Sequence, residues 1–181
     1  AERPMIYTGG GVIQGEGSEL LTKLTRKLGF PITNTLMGLG AFPASDKQFL
    51  GMLGMHGTYE ANMAMHNCDV LLCIGARFDD RVTSSDTSKF CPNAKILHVD
   101  IDPAAISKTV MADVPIVGSV KSVLEEMLQL LNSAKKKKNA KELEVWWSQI
   151  DAWREKKCLE INARSDGIIL PQQAVRAVFE I

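Results

Sequence analysis

No apolar run in this chain of 181 residues approaches the roughly 20 residues needed to cross a bilayer. Its opening residues also lack the basic-then-apolar order of a secretory leader. No membrane association is therefore expected. An excess of one charge is missing too: 21 basic and 21 acidic side chains cancel, which argues against a nucleic-acid footprint built on clustered positive charge. Four cysteines, Cys68, Cys73, Cys91 and Cys158, show no C-x-x-C spacing and lie in apolar or helical contexts. They read as reduced core thiols in a cytosol-like compartment. Also absent are a nucleophile elbow, metal-ligand spacing, a Walker A lysine and any obvious pairing of acid with base. The chain reads as one that holds a cofactor but does not transform a substrate unaided.

With 45% hydrophobic and 23% charged residues, the chain can bury one substantial core. Short apolar runs at Pro4–Tyr7, Phe30–Thr33, Val70–Ile74, Lys95–Val99 and Val114–Val117 read as strands. Between them lie helical patterns. Leu20, Leu21, Leu24 and Leu28 recur at helical spacing before a stop at Gly29, Thr58 is placed to cap Tyr59–His66, and Val120–Leu131 is amphipathic. Strands alternating with helices predict an α/β fold: a doubly wound parallel sheet of about six strands with helices on both faces. Lys135–Lys138 reads as a solvated linker. The segment Glu142–Ala163 reads as a helix whose Trp146, Trp147, Ile150 and Trp153 share a docking face, and Leu170–Ile181 opens a further helix with Pro171 at its first position. The chain starts almost on a strand without an initiating methionine and stops inside that last helical pattern. It is therefore expected to be a piece of something longer.

The stretch Gly51–Pro103 is the most informative. Its strands Val70–Ile74 and Ile96–Val99 each run into a polar, turn-prone segment, and in a parallel sheet such segments line the ligand crevice. Gly75-Ala76-Arg77-Phe78-Asp79-Asp80-Arg81 is the strongest signal, because arginine suits bidentate contact with phosphate or carboxylate. A surface cluster of salt bridges is the alternative. Asp100, at the tip of the next strand, can accept from a ribose, while Asp102 before Pro103 can start a turn. Thr8-Gly9-Gly10-Gly11 is a glycine turn that either brings backbone close to a ligand or is simply a turn. Gly54-Met55-His56-Gly57-Thr58 precedes a helix N-terminus, which suits an anion or an electron-rich ring edge.

Taken together, TGGG, TLMGLGAFP, LGMLGMHGTYEANMAMHNCD, GARFDDRVT and HVDIDPAAISK resemble the central domain of acetohydroxyacid (acetolactate) synthase catalytic subunits, a thiamine-diphosphate enzyme family. The likeness is dense over Arg3–Leu131 and looser beyond. It implies a Rossmann-like domain that binds FAD without net redox use, between a pyrimidine-binding and a pyrophosphate-binding domain. Those flanking domains would bind thiamine diphosphate and Mg2+. The parent would decarboxylate pyruvate and join the two-carbon unit to a second 2-ketoacid, in branched-chain amino-acid synthesis. It would be a cytoplasmic homo-oligomer that can take a small regulatory subunit. By the same resemblance Gly9, Gly10 and Gly11 would approach the ribityl and phosphate portion of FAD. Thr35, Leu36, Leu53, Gly54, Met55 and His56 would line the flavin. Gly75, Ala76, Arg77, Asp79, Arg81 and Val82 would meet phosphate and sugar, and Asp100 and Ile101 the adenosine end. Arg81 would also face the substrate channel; no catalytic or metal residue is expected. Ser119 stands where the family commonly has an acid, so residues 118–120 are not counted among the contacts. The expected organisation is a nucleotide-binding domain over residues 1–132, a linker with the tryptophan helix over 133–169, and the start of the next domain over 170–181. By itself such a piece is expected to make no acetolactate. A nucleotide-binding module without carboligase activity, transhydrogenase- or deacetylase-like, is the other reading.

Overall fold

The computed structural model describes residues 1–83, 86–134, 140–161 and 167–181; the lysine run Lys135–Lys138 lies outside them. Six strands form one sheet: β1 (Pro4–Thr8), β2 (Ile32–Asn34), β3 (Phe49–Met52), β4 (Val70–Ile74), β5 (Lys95–Asp100) and β6 (Val114–Val117). Their order is β3-β2-β1-β4-β5-β6, and every pairing is parallel. The two central strands are buried almost throughout. That is why they are continuous apolar runs, with no alternation between faces.

Helices cover both faces. On one, α2 (Ser18–Leu28) and α5 (Val120–Ser133) bury Leu21, Leu24, Val120 and Leu124 against Ile6, Ile32, Ile74 and Val99. On the other, α3 (Tyr59–Asn67) and α6 (Ala140–Arg154) pack Ala61, Ala64, Met65, Trp146 and Ile150 against Met5, Tyr7, Leu71 and Cys73. Three caps act as their sequence promised. Gly29 ends α2 in the left-handed region at φ 72°, the Thr58 side chain accepts from the Ala61 N–H, and Pro171 opens α7 (Pro171–Phe179).

Helix α6 straps the entrances of three strands. The indole N–H of Trp146 donates to the Pro4 carbonyl (3.1 Å) and that of Trp147 to the Gly29 carbonyl (2.9 Å). Arg154 donates to the carbonyls of Lys47 and Phe49 (2.7 and 3.1 Å).

Several boundaries depart from the sequence reading. Strand β3, unforeseen, is a short strand at the sheet edge whose Gly51 sits at φ 91°, so neither length nor alternation announces it. The first glycine loop is itself helical as α1 (Gly10–Gln14). The turn-prone segment expected after Val70–Ile74 contains α4 (Asp80–Thr83), and a 3-10 turn follows at Thr87–Lys89. The tryptophan helix, expected to reach Ala163, ends at Arg154. Just beyond it Lys157 takes φ 47°, a left-handed stop made without the glycine that would have marked it; residues 162–163 of that expectation fall outside the described ones.

Candidate functional site

All six strands point the same way, so every loop singled out in the sequence emerges on one edge. The order reverses between β1 and β4, and at such a switch point adjacent loops part to leave a crevice. Here the loop backbones are drawn together. Gly9 N–H donates to the Ile74 carbonyl (3.0 Å) and Gly11 N–H to the Gly75 carbonyl (3.1 Å). A Cβ on Gly9 would lie 2.8 Å from Cα and Cβ of Ala76, and one on Gly11 would lie 2.9 Å from Gly75 Cα. These glycines are thus required by backbone packing on the neighbouring loop, whatever ligand lies above.

The same stitching continues along the edge. Thr35 N–H donates to the Thr8 carbonyl (2.8 Å). The Asn34 amide donates to Gly38 (2.8 Å) while its oxygen accepts from the Thr8 hydroxyl. The Thr35 hydroxyl caps a 3-10 turn over Leu36–Gly38. Farther along, the Asn62 side chain bonds both polar backbone atoms of Gly54, each at 3.0 Å. Gly54 stands at φ 106°, where a Cβ would lie 2.9 Å from the Arg81 carbonyl. The loops after β1, β2, β3 and β4 therefore form one continuous ledge.

What each expected residue offers to that ledge follows from its burial. Gly9, Leu53, Ala76 and Asp100 are buried; Leu53 and Ala76 belong to the core. Gly10, Gly11, Thr35, Gly54, Gly75 and Val82 are half-buried. Leu36, Met55 and Ile101 are about 70% exposed (69%, 72% and 71%), as is Met37 beside them at 72%. His56, Arg77, Asp79 and Arg81 are exposed as well. One oxygen of Asp100 is engaged by the Asp102 N–H (2.9 Å), and Asp102 in turn accepts from Ala104 N–H. Both acids thus make turns, and Asp100 retains acceptor capacity.

The arginine loop is not a self-satisfied salt-bridge cluster. Among the described residues, neither the Arg77 nor the Arg81 guanidinium takes part in an ion pair or side-chain hydrogen bond. Asp79 accepts from the Arg81 backbone N–H (3.2 Å). Its carboxyl is held below the usual carboxylate range by hydrogen bonding with Asp80, by that N–H, and by the nearby guanidiniums. Two fork-shaped cations without an ion pair, on the same sheet edge as exposed apolar side chains, suit an extended ligand carrying a phosphate or carboxylate and a flat ring. FAD is such a ligand, and nothing in the donor set opposes it.

Four residues that hold the ledge were not foreseen as functional: Asn34, Asn62, Phe78 and His98. Phe78 lies in the middle of the charged loop yet is 2% exposed, at φ 54°, with its ring 5.7 Å from Tyr7, 5.7 Å from Phe90 and 5.0 Å from His98. An aromatic between Arg77 and Asp79 was the available signal. His98 is fully buried, with Nε2 2.9 Å from the Ala76 carbonyl. Burial lowers its pKa, which keeps the imidazole neutral.

A six-stranded parallel sheet in this order, with its loops gathered at the switch point, defines a doubly wound, Rossmann-like domain. Residues 1–127 match the family described as thiamine pyrophosphate enzyme, central domain. The chain belongs to that family. It is 54% identical over all 181 residues to the acetolactate synthase large subunit of Haemophilus influenzae. It is 49% identical to the isozyme 3 large subunit of Escherichia coli and 46% identical to the acetolactate synthase of Mycobacterium leprae. In each case the whole chain is covered, but only 31%, 31% and 29% of the relative. The chain thus spans about a third of the length of the curated relatives it matches.

Proposed function

We propose that this chain is the FAD-binding central domain of an acetolactate synthase large subunit. The reading is carried by the 54% identity to such a subunit across all 181 residues. A shared fold does not by itself imply a shared function, whereas this likeness runs the whole length of the chain, the segments that form the ledge included. Arg77 and Arg81 would hold the pyrophosphate of FAD by forked contacts. Leu36, Met55 and His56 would lie along the flavin, with the backbone of Gly10, Gly11, Gly54 and Gly75 beside them. Asp100 and Ile101 would meet the adenosine end. FAD supplies no net redox chemistry to this reaction and serves to shape the site. Arg81, exposed beside an apolar row, would also attract the carboxylate of an incoming 2-ketoacid.

Thiamine diphosphate and Mg2+ would be bound by domains flanking residues 1–132, with residues 170–181 starting the pyrophosphate-binding one. The whole protein would convert pyruvate, with a second 2-ketoacid, to acetolactate-type products for branched-chain amino-acid synthesis. It would do so in the cytoplasm, as a homo-oligomer able to take a regulatory subunit. Among the described residues no helix is long and apolar enough to cross a membrane. The test is direct: the full-length protein is purified, its flavin absorbance recorded, and acetolactate formation from pyruvate measured with and without thiamine diphosphate and Mg2+. Bound FAD with acetolactate that requires both additions is the expected result. A flavin-free protein, or one that makes no acetolactate, would refute the proposal.

A further inference from the structure

The arginine loop combines two opposed properties. Its guanidiniums are free, yet the backbone that carries Arg77 is held from both sides by side chains in the middle of the sheet. Tyr7, Cys73 and His98 occupy one row across β1, β4 and β5, since Tyr7 pairs with Cys73 and Cys73 with His98 in the strand register. All three are fully buried. From that row two donors converge on one acceptor, the Ala76 carbonyl: the Cys73 thiol at 3.3 Å and His98 Nε2 at 2.9 Å. A carbonyl oxygen has two lone pairs, so this one is saturated. A carbonyl only accepts, so the proton of the neutral imidazole sits on Nε2. The other nitrogen, Nδ1, is buried with no partner among the described residues.

The Ala76 carbonyl belongs to the planar peptide that enters Arg77. The residue that leaves Arg77 is Phe78, whose ring meets His98 edge-on (5.0 Å, 76°) and tilts against Tyr7 (5.7 Å). Flanked in its strand by Leu97 and Val99, a histidine with an orphaned nitrogen is a costly way to fill space. Its polar contact here is to the loop.

We infer that His98 and Cys73 are positioning residues: through the Ala76 carbonyl they fix the peptide that aims Arg77 at its anion. The inference rests on the reading of residues 75–81 as the phosphate-contacting loop. The advantage is preorganisation. A cation carried on a backbone already ordered loses less freedom when its ligand arrives.

The test uses the full-length protein with His98→Leu, which removes the donor, and His98→Gln, whose amide nitrogen can replace Nε2. Two readouts are taken on each: hydrogen exchange of the 76–81 backbone amides without ligand, and FAD affinity by quenching of flavin fluorescence. For His98→Leu, exchange of the loop accelerates by about fivefold or more while β1 and β4 stay protected, and FAD binds roughly tenfold more weakly. His98→Gln restores both to within about twofold. Cys73→Ala shifts both in the same direction by less and Cys73→Ser restores them; this pair decides the matter if His98→Leu does not fold. Unchanged loop exchange in both donor-less variants overturns the inference. Gln and Ser variants as loose as Leu and Ala also overturn it, since ring and sulfur would then act by packing alone. If the unmodified protein binds no FAD, the proposed function fails, while the exchange readout still judges the positioning role.

Discussion

Replacing Gly9 with alanine adds one methyl group at the tightest point of the site edge. The new Cβ would stand 2.8 Å from both Cα and Cβ of Ala76 and nearer still to the Gly75 carbonyl oxygen. Two of these three neighbours are backbone atoms, so no side chain can swing away. Ordinary carbon contact begins near 3.4 Å, so the loops after β1 and β4 must part by more than about half an ångström. That movement strains the Gly9-to-Ile74 and Gly11-to-Gly75 hydrogen bonds, now 3.0 and 3.1 Å. Overpacking costs about 1–3 kcal/mol, and two weakened hydrogen bonds add about 1 kcal/mol. A loss of about 3 kcal/mol follows, or a fall in melting temperature of about 6–12 °C for a chain of this size. The assay is urea or thermal unfolding without any ligand. It is read through the fluorescence of Trp146, Trp147 and Trp153, the three tryptophans of the chain, all on α6. Gly118→Ala is the control. Its Cβ would meet only a methyl of the half-buried Val123 at 3.1 Å and no backbone, so a shift of a few tenths of an ångström by one side chain relieves it and its cost stays below about 1 kcal/mol. A Gly9→Ala protein with the native unfolding midpoint and weakened flavin binding would refute this reasoning, because the glycine would then serve the ligand and not the packing.

Arg77→Ala and Arg81→Ala should leave the melting temperature within about 1 °C, since neither guanidinium has a partner to lose. Each should weaken FAD about tenfold or more in a fluorescence titration; a large loss of stability with unchanged binding would contradict the site as drawn. Burial lowers the folded pKa of His98 below the 6.5 of a free histidine, so in that range the unfolded chain binds more protons. The associated stability is complete above about pH 6.5 and is lost as pH falls through the folded value, at up to about 1.4 kcal/mol per unit. Urea midpoints compared between the unmodified protein and His98→Gln across that range should diverge on acidification, and a constant difference would disprove the assignment. Of the four cysteines, Cys158 is exposed and the other three are buried, with burial pushing the Cys91 thiol up to about 12 and Cys68 and Cys73 upward too. An aromatic disulfide reagent should therefore titrate one thiol quickly and three only on unfolding; two or more fast thiols would mean that the α3–α6 face opens.

The amino-acid order alone determined the architecture, because burial on both faces leaves a plain trace. Met5–Tyr7 and Val70–Ile74 are apolar without alternation, and Ile96–Val99 is broken only by His98, as suits strands buried on both faces. Gly29, Thr58 and Pro171 mark helix ends by chemistry confined to a few adjacent residues. Parallel strands then force their outgoing loops onto one edge, so the location of the candidate site was legible before any coordinates. Where local signals were weak, legibility failed. Strand β3 is four residues at an edge with a glycine inside, and α6 ends at Arg154, three residues before a lysine in the left-handed region. Only the tertiary structure decided what the site residues do. Gly9 and Gly11 are glycines because a neighbouring backbone fills the space a side chain would take, a fact set by residues more than sixty positions away along the chain. Among the described residues Arg77 and Arg81 make no ion pair, and Asp79 turns to the Arg81 backbone N–H, a choice no spacing reveals. Phe78, placed among charged residues in the sequence, and His98, set between Leu97 and Val99, became the anchor of the loop because the register of β1, β4 and β5 sets Tyr7, Cys73 and His98 in one buried row.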